Sequence, residues 1–304
     1  MTKEKPDTLL WGKRRVNSDH ACQREGGRLS PGNVRQAPKL ITIGDIVAFD
    51  GMTPFAVGFV LLAHFIGFYI RGALGFGSNM PIVLLITWVL GPHHAILLVA
   101  LTSGIAQVHL LPQGFRNTDW PIARMLALGM MAGIVFGTWV FTEIEADWLV
   151  LLLGGLILGI LLMDRFQAIG RLQRRIHLRS HALASVLAAI SGSVGTISGG
   201  GGLYFLVAYL KLVCANPAVL RSTNVFLSGA FMLFRLCLLT YAGLFTPTLL
   251  IEALLVAPAV FLGSWAGTRL FHASSPERFY AILQFVLFAA AAALFIKGLL
   301  YLLA

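Results

Sequence analysis

Residues 195–202 read Gly-Thr-Ile-Ser-Gly-Gly-Gly-Gly, and residues 72–79 read Gly-Ala-Leu-Gly-Phe-Gly-Ser-Asn. Each stretch follows one long apolar segment and precedes a short one. Five consecutive small residues, from Ser198 to Gly202, cannot hold together a helix that faces lipid. Irregular backbone is tolerated at membrane depth only where it is buried in protein or lines a wet cavity. The two stretches therefore predict a pair of glycine-rich breaks in membrane helices.

The composition around these breaks is that of a membrane protein. Of the 304 residues, 57% are hydrophobic and 12% are charged, whereas soluble domains carry about 25% charged residues. The mean hydropathy is +0.81. The excess positive charge lies in short loops between apolar segments, where the positive-inside rule predicts it. Composition thus excludes a water-soluble globule, predicts a lipid bilayer as the surroundings and leaves no basic face for nucleic acid.

Ten apolar segments follow one another from Pro54 onwards, in two groups of five. The first group comprises Pro54–Leu74, Met80–Leu90, His93–Leu111, Pro121–Thr142 and Trp148–Met163, and the second comprises His181–Ile197, Leu203–Ala215, Pro217–Ala242, Thr248–Phe271 and Arg278–Leu303. A spanning helix needs about 20 apolar residues, and the second segment of each group is much shorter. We predict an all-α polytopic membrane protein with glycine-rich broken helices.

The two groups also match each other in sequence. Shifts of 123 to 126 positions place Gly72 on Gly195, Gly77 on Gly200, Pro121 on Pro247, and the Gly-Thr-Trp of 137–139 on the Gly-Ser-Trp of 263–265. Matches that keep their order indicate two homologous repeats. Five crossings per group would invert one repeat relative to the other, as in many secondary transporters. An arrangement of eight crossings with two re-entrant loops stays open beside the one with ten.

The chain then divides into four parts: residues 1–51, a first transmembrane repeat over 52–163, a basic linker over 164–180, and a second repeat over 181–304. The composition of residues 1–51 predicts either a disordered tail or an upstream, misassigned start. The linker carries five arginines, which place it in the cytoplasm.

We predict an anion site at the two breaks. The first N–H groups of a helix have no intrahelical partner and carry the positive end of the macrodipole, and glycine lets a ligand approach them. Arg71 either faces the anion or extends to the cytoplasmic interface. The candidate substrate-binding residues are Arg71, Gly75, Gly77, Ser78, Asn79, Thr102, Ser198, Gly199, Gly200, Gly201, Thr223 and Asn224. Other glycines are expected to allow close helix packing instead: Gly58, Gly104, Gly129, Gly133, Gly155 and Gly159.

Three ionisable residues inside the apolar segments are candidates for coupling or structural roles. His64 either relays protons or is a buried, hydrogen-bonded histidine. Arg235 and Glu252 come at similar depths in successive segments, so we expect a structural ion pair between them, with a role in transport as the alternative. The sequence predicts no metal site, because its three cysteines share no metal or redox spacing.

The residues around the breaks resemble the sulfite exporter TauE/SafE family, also called the 4-toluene sulfonate uptake permease family. The resemblance covers residues 54–303 and rests on the following motifs: Gly72-Ala-Leu-Gly-Phe-Gly77, Pro81, Pro92-His-His-Ala95, Asp119-Trp120, Gly199-Gly-Gly201, Asn216-Pro-Ala218 and Ser222-Thr223. It implies a multi-pass transporter of small organosulfur or other anions, without a cofactor, in the bacterial inner (plasma) membrane. Ser78 and Asn79 depart from the family pattern, which has further glycine there.

The preferred function is a secondary transporter of a small anion such as sulfite or a sulfonate, moving by alternating access around the breaks. A proton or sodium ion is the candidate coupling ion, and the sequence does not fix the oligomeric state. A passive anion channel is the alternative, and a membrane-embedded protein without transport is a weaker one. Enzyme function is not expected, because no metalloprotease motif, nucleophile elbow or pair of facing carboxylates is present.

Overall fold

The computed structural model describes residues 41–43, 46–74, 79–108, 114–115, 117–165, 181–200, 202–214, 216–270 and 276–303. Ten main helices occupy these ranges. They are α1 (Pro54–Leu74), α2 (Asn79–Leu90), α3 (Pro92–Val108), α4 (Trp120–Glu143), α5 (Ala146–Arg165), α6 (His181–Ile197), α7 (Leu203–Val213), α8 (Pro217–Tyr241), α9 (Pro247–Leu270) and α10 (Pro276–Leu303). Each helix corresponds to one predicted apolar segment.

The helix starts follow from local sequence signals. Proline opens α1, α3, α8, α9 and α10, where its missing N–H leaves no helical bond unmade. Asp119 caps α4 by accepting a hydrogen bond from the Ile122 N–H, and Asn216 caps α8 by accepting one from the Ala218 N–H. These signals lie in the short loops, so they fix where each apolar helix begins.

Five of the described helices are long and apolar enough to cross a membrane: Pro54–Gly72, Trp120–Glu143, Ala146–Met163, Ala218–Tyr241 and Pro247–Gly267. By contrast, α2 has 12 residues and α7 has 11, so they extend about 18 Å and about 17 Å. Large apolar side chains such as Phe136, Leu254 and Trp265 are exposed on the outside of the helices, while polar ones such as Asn79 and Arg235 are buried. This distribution suits lipid surroundings.

Three helix pairs make the most extensive contacts: α4 with α6, α1 with α9, and α5 with α10. Glycine permits all three, and at the α5–α10 contact a Cβ atom at Gly154 would lie 2.6 Å from the Phe295 backbone nitrogen. A Cβ atom at Gly129, Gly133 or Gly137 of α4 would collide with the backbone of α6, and one at Gly263 of α9 would collide with Phe65 of α1. The expected close packing is confirmed at Gly104, Gly129, Gly133 and Gly155, but Gly58 and Gly159 border open space.

A short hairpin precedes α1. Strand β1 (Ile41–Ile43) pairs antiparallel with β2 (Ile46–Ala48), with Ile41 opposite Ala48. Ala48 and Phe49 are buried, and β2 packs against α9. The stretch 1–51, predicted as a disordered tail, therefore ends in an ordered segment, because its last residues are β-branched and apolar, unlike the rest. Residues 1–40 and most of the linker, 166–180, lie outside the described residues.

Candidate functional site

Asn79, the last residue of the first predicted break, contacts the second predicted break. A Cβ atom at Gly200, in the second break, would lie 2.7 Å from Asn79 Nδ2, at the end of the first break. One at Gly199 would lie 2.7 Å from a methyl carbon of Val83, one turn further along α2. The side chains that follow the first break thus pack directly on the backbone of the second. Asn79 and Gly200, which are 121 positions apart in the sequence, are therefore neighbours in the fold.

The second break has the geometry of an interrupted helix. Helix α6 ends at Ile197, and Gly199 (φ +74°) and Gly200 (φ +123°) adopt conformations that other residues rarely take. The Gly200 N–H donates to the Gly195 carbonyl at 2.5 Å. Helix α7 begins at Leu203, and no side chain caps its N-terminal end at Gly202. The backbone N–H groups that open α7 therefore give this break a positive end.

Asn79 is held in place by a third helix. It is buried at the start of α2, and its Oδ1 atom accepts a hydrogen bond from Ser103 Oγ of α3 at 2.8 Å. The neighbouring Thr102 was the predicted ligand, but its hydroxyl donates to the Leu98 carbonyl of its own helix. Of these two hydroxyls, Ser103 is therefore the one that contacts Asn79. A helix places adjacent residues about 100° apart, so only one of the two can point toward α2.

Arg71 lies in the last turn of α1, immediately before the first break. Its guanidinium donates to Gln107 Oε1 of α3, and Gln107 Nε2 donates to the Val225 carbonyl of α8 at 3.2 Å. The guanidinium carbon also lies 5.9 Å from the centre of the Phe68 ring. Arg71 therefore links three helices beside the break.

Arg235 and Glu252 do not form the expected ion pair. Arg235 Nη2 donates to the Thr196 carbonyl in the last turn of α6, at 3.0 Å. Glu252 Oε2 contacts His94 Nε2 at 2.5 Å, and Oε1 accepts from the Phe49 N–H at 2.9 Å. The prediction was wrong because similar depth does not imply facing sides: α8 turns Arg235 toward α6, whereas α9 turns Glu252 toward α3 and the hairpin.

A family comparison decides the class of protein. The model of the sulfite exporter TauE/SafE family matches residues 59–294. This range includes the ten helices except for the start of α1 and the end of α10. The chain belongs to the sulfite exporter TauE/SafE family. It is therefore an integral, multi-pass membrane protein of a transporter family, and the predicted resemblance is confirmed. Searches of curated proteins and of solved structures returned no significant match.

Not all predicted site residues of this TauE/SafE protein gather at the meeting point. Thr223 Oγ1 accepts a hydrogen bond from the Asp119 N–H at 3.1 Å, where α4 begins. Thr223 is twelve positions from Arg235 in α8, which corresponds to about 18 Å along the helix axis. Asn224 is buried beside it, and its Oδ1 atom has no partner among the described residues. Thr223 therefore contacts the start of α4.

The remaining candidates of the TauE/SafE chain are accounted for as follows. Ser198 is buried, and its hydroxyl donates to the Val194 carbonyl at 2.6 Å. His64 is buried in α1, with Nδ1 at 2.8 Å from the Val60 carbonyl and Nε2 without a partner in the described part of the chain. Gly75, Gly77, Ser78 and Gly201 lie outside the described residues. Within the described ranges, no three His, Cys, Asp or Glu side chains are grouped to hold a metal ion.

Replacing Glu252 with glutamine is expected to lower the melting temperature of the purified TauE/SafE protein by about 5 °C. Glutamine keeps the shape but loses the charge that strengthens the contacts to His94 and the Phe49 N–H. The measurement is thermal unfolding in detergent. Glu143→Gln, at an exposed position in α4, is the matched control and should unfold like the wild type. An unchanged melting temperature for Glu252→Gln would show that the carboxylate does not hold the hairpin.

Proposed function

We propose that this protein is a secondary transporter of small anions, with sulfite, sulfonates and related organosulfur anions as the substrates. The contact between Asn79 and Gly200 carries the proposal, because it brings the two glycine breaks together at one place inside the helical bundle. Paired interruptions at matching places in two repeats are the features that form substrate sites in secondary transporters. Both short helices, α2 and α7, begin at this meeting point.

The chemistry of the meeting point favours an anion. Uncapped N–H groups open α7, and the Asn79 amide lies against Gly200, so several donors converge there. Among the described residues, the buried carboxylate is Glu252, and it is engaged by His94 and the Phe49 N–H. No negative side chain in the described part of the chain therefore opposes an anion at the breaks.

The packing of the helices supports two repeats that move against each other. The first helix of each group packs on the fourth helix of the other group, since α1 contacts α9 and α6 contacts α4. The third helices, α3 and α8, contact each other, as do the fifth helices, α5 and α10. Exchanging the two groups maps these pairs onto one another, which supports two related units, whereas the smaller contacts α2–α10, α3–α5 and α5–α6 have no counterpart of similar size. We infer that the repeats are inverted and that rocking between them gives alternating access in the bacterial inner membrane.

Exchange of labelled sulfite in proteoliposomes tests the proposal. Purified protein should exchange internal and external sulfite at a rate that saturates as its concentration rises, and protein-free liposomes should not. An imposed pH or sodium gradient that accelerates uptake would identify the coupling ion. A flux that never saturates and carries current would indicate the passive channel instead. If the protein gives no sulfite or sulfonate flux above that of protein-free liposomes, both the transporter and the channel hypotheses are contradicted.

A further inference from the structure

Arg235 is a fully buried cation whose hydrogen bonds are incomplete. Among the described residues, its hydrogen bond runs from Nη2 to the Thr196 carbonyl at 3.0 Å. The Nε and Nη1 donors have no partner among the described residues. The guanidinium carbon lies 5.9 Å from the centre of the Phe231 ring, a contact that supplies weak attraction but no counter-charge. The guanidinium of Arg71 donates to the Gln107 amide oxygen. Arg235 differs in that its Nε and Nη1 atoms are buried without a partner among the described residues.

We propose that the Arg235 guanidinium binds the transported anion at the second break. This inference rests on the proposed function and names the substrate class: a small oxyanion with two or more oxygen atoms on one centre. A guanidinium presents its donors in a planar fork that matches two such oxygens. The Nη2 contact to Thr196 fixes the plane of the group and uses one of the two Nη2 N–H groups. The second Nη2 N–H can form the fork with Nε or with Nη1.

The hydrogen bond of Arg235 places this cation at the end of α6, where the second break begins. Its acceptor, Thr196, precedes Ser198 by two residues at the end of α6. The adjacent residue in α8, Leu236, packs on Gly104 of α3, where a Cβ atom would lie 2.5 Å from a Leu236 methyl carbon. Gly104 in turn follows Ser103, the partner of Asn79. Arg235 of α8 and Asn79 of α2 therefore contact the two sides of the second break in sequence, Arg235 at Thr196 and Asn79 at Gly200.

The buried guanidinium of Arg235 needs a counter-charge. A buried ion is costly unless it is paired and hydrogen-bonded. Glu252, the buried carboxylate in the described part of the chain, contacts His94 instead. One carbonyl at the C-terminal end of α6 provides part of the compensation through the negative end of the helix dipole. An anion that accepts from the second N–H of Nη2 and from Nε or Nη1 would complete it, so the charge is costly without the anion and compensated with it.

Thermal unfolding separates this role from that of a structural cap on α6. In a buffer whose only anion is gluconate, we expect Arg235→Gln to melt about 3 °C higher than the wild type, since it removes an uncompensated charge. Sulfite should raise the melting temperature of the wild type and leave that of Arg235→Gln unchanged. Arg221→Gln, at an exposed position of the same helix, is the control and should respond like the wild type. A lower melting temperature for Arg235→Gln without sulfite would overturn the proposal.

Sulfite exchange in proteoliposomes gives the second measurement. Arg235→Gln should exchange sulfite at least about 50-fold more slowly than the wild type. Arg235→Lys, which keeps the charge but loses the fork, should be slower by about 5- to 10-fold. If Gly200→Val stops exchange while Arg235→Gln retains it, the inference about Arg235 fails and the proposed function stands. If the wild type itself shows no saturable exchange of sulfite or a sulfonate, both fail.

Discussion

Gly200→Val is expected to slow sulfite exchange by at least about 100-fold, while the protein still inserts into the membrane and unfolds cooperatively. Valine meets two obstacles at this position. The φ of +123° is strained for any residue with a Cβ atom, and that atom would lie 2.7 Å from Asn79 Nδ2. The side chain would displace Asn79 and cover the backbone N–H groups of the break. A misplacement of about 1 Å at a binding site is enough for an effect of this size.

The control for this variant is Gly58→Val. Gly58 lies in α1 and is exposed, and a Cβ atom there would meet nothing within 4 Å. The same chemical change should leave exchange within about twofold of the wild type, because substitutions at exposed positions away from the core and from strained backbone have small effects. Full exchange by Gly200→Val, at wild-type levels of inserted protein, would remove the second break from the transport site.

Gly133→Val is expected to disrupt the fold itself. In α4, Gly133 lies directly against the Ala189 backbone of α6, and a Cβ atom would overlap the Ala189 carbonyl group. Backbone cannot yield as a flexible side chain can, so α4 and α6 would have to separate along their length. We expect a fall in melting temperature of at least about 10 °C, with loss of the single symmetrical peak in size-exclusion chromatography.

Gly159→Val in α5 provides the comparison for Gly133. Both glycines lie inside apolar helices, but a Cβ atom at Gly159 would have open space around it. Gly159→Val should therefore elute and unfold like the wild type. Normal elution and melting of Gly133→Val would show that α4 and α6 do not pack as closely as described, and would weaken the argument for two interlocked repeats.

The helices could be predicted from sequence because the membrane allows few alternatives. Long apolar runs must be helical there, since no water satisfies the backbone of any other conformation. The predicted segment Pro54–Leu74 is helix α1, and the predicted Leu203–Ala215 begins where α7 begins. Proline and capping residues fixed the starts, and the run of glycines marked where α6 had to end.

The partners of the polar residues could not be predicted, because sequence indicates depth along a helix but not which neighbour it faces. Glu252 contacts His94, 158 positions away, rather than Arg235 in the preceding helix. The hairpin that precedes α1 was missed for a related reason: its few β-branched residues are outweighed by the polar composition of residues 1–51. Ser103 and Thr102 are equivalent in sequence, and only the direction of α2 distinguishes them.

Protection of an introduced cysteine tests most directly whether an anion occupies the meeting point of the two breaks. The variant is Asn79→Cys in a chain whose own cysteines, Cys22, Cys214 and Cys237, are replaced by serine. Methanesulfonate is the probe, since it does not react with maleimide, and a cysteine at Gly243, in the exposed turn after α8, is the control. We predict that methanesulfonate slows maleimide labelling at position 79 in a saturable manner and leaves position 243 unaffected. Equal labelling rates at position 79 with and without the anion would contradict a substrate site at the breaks.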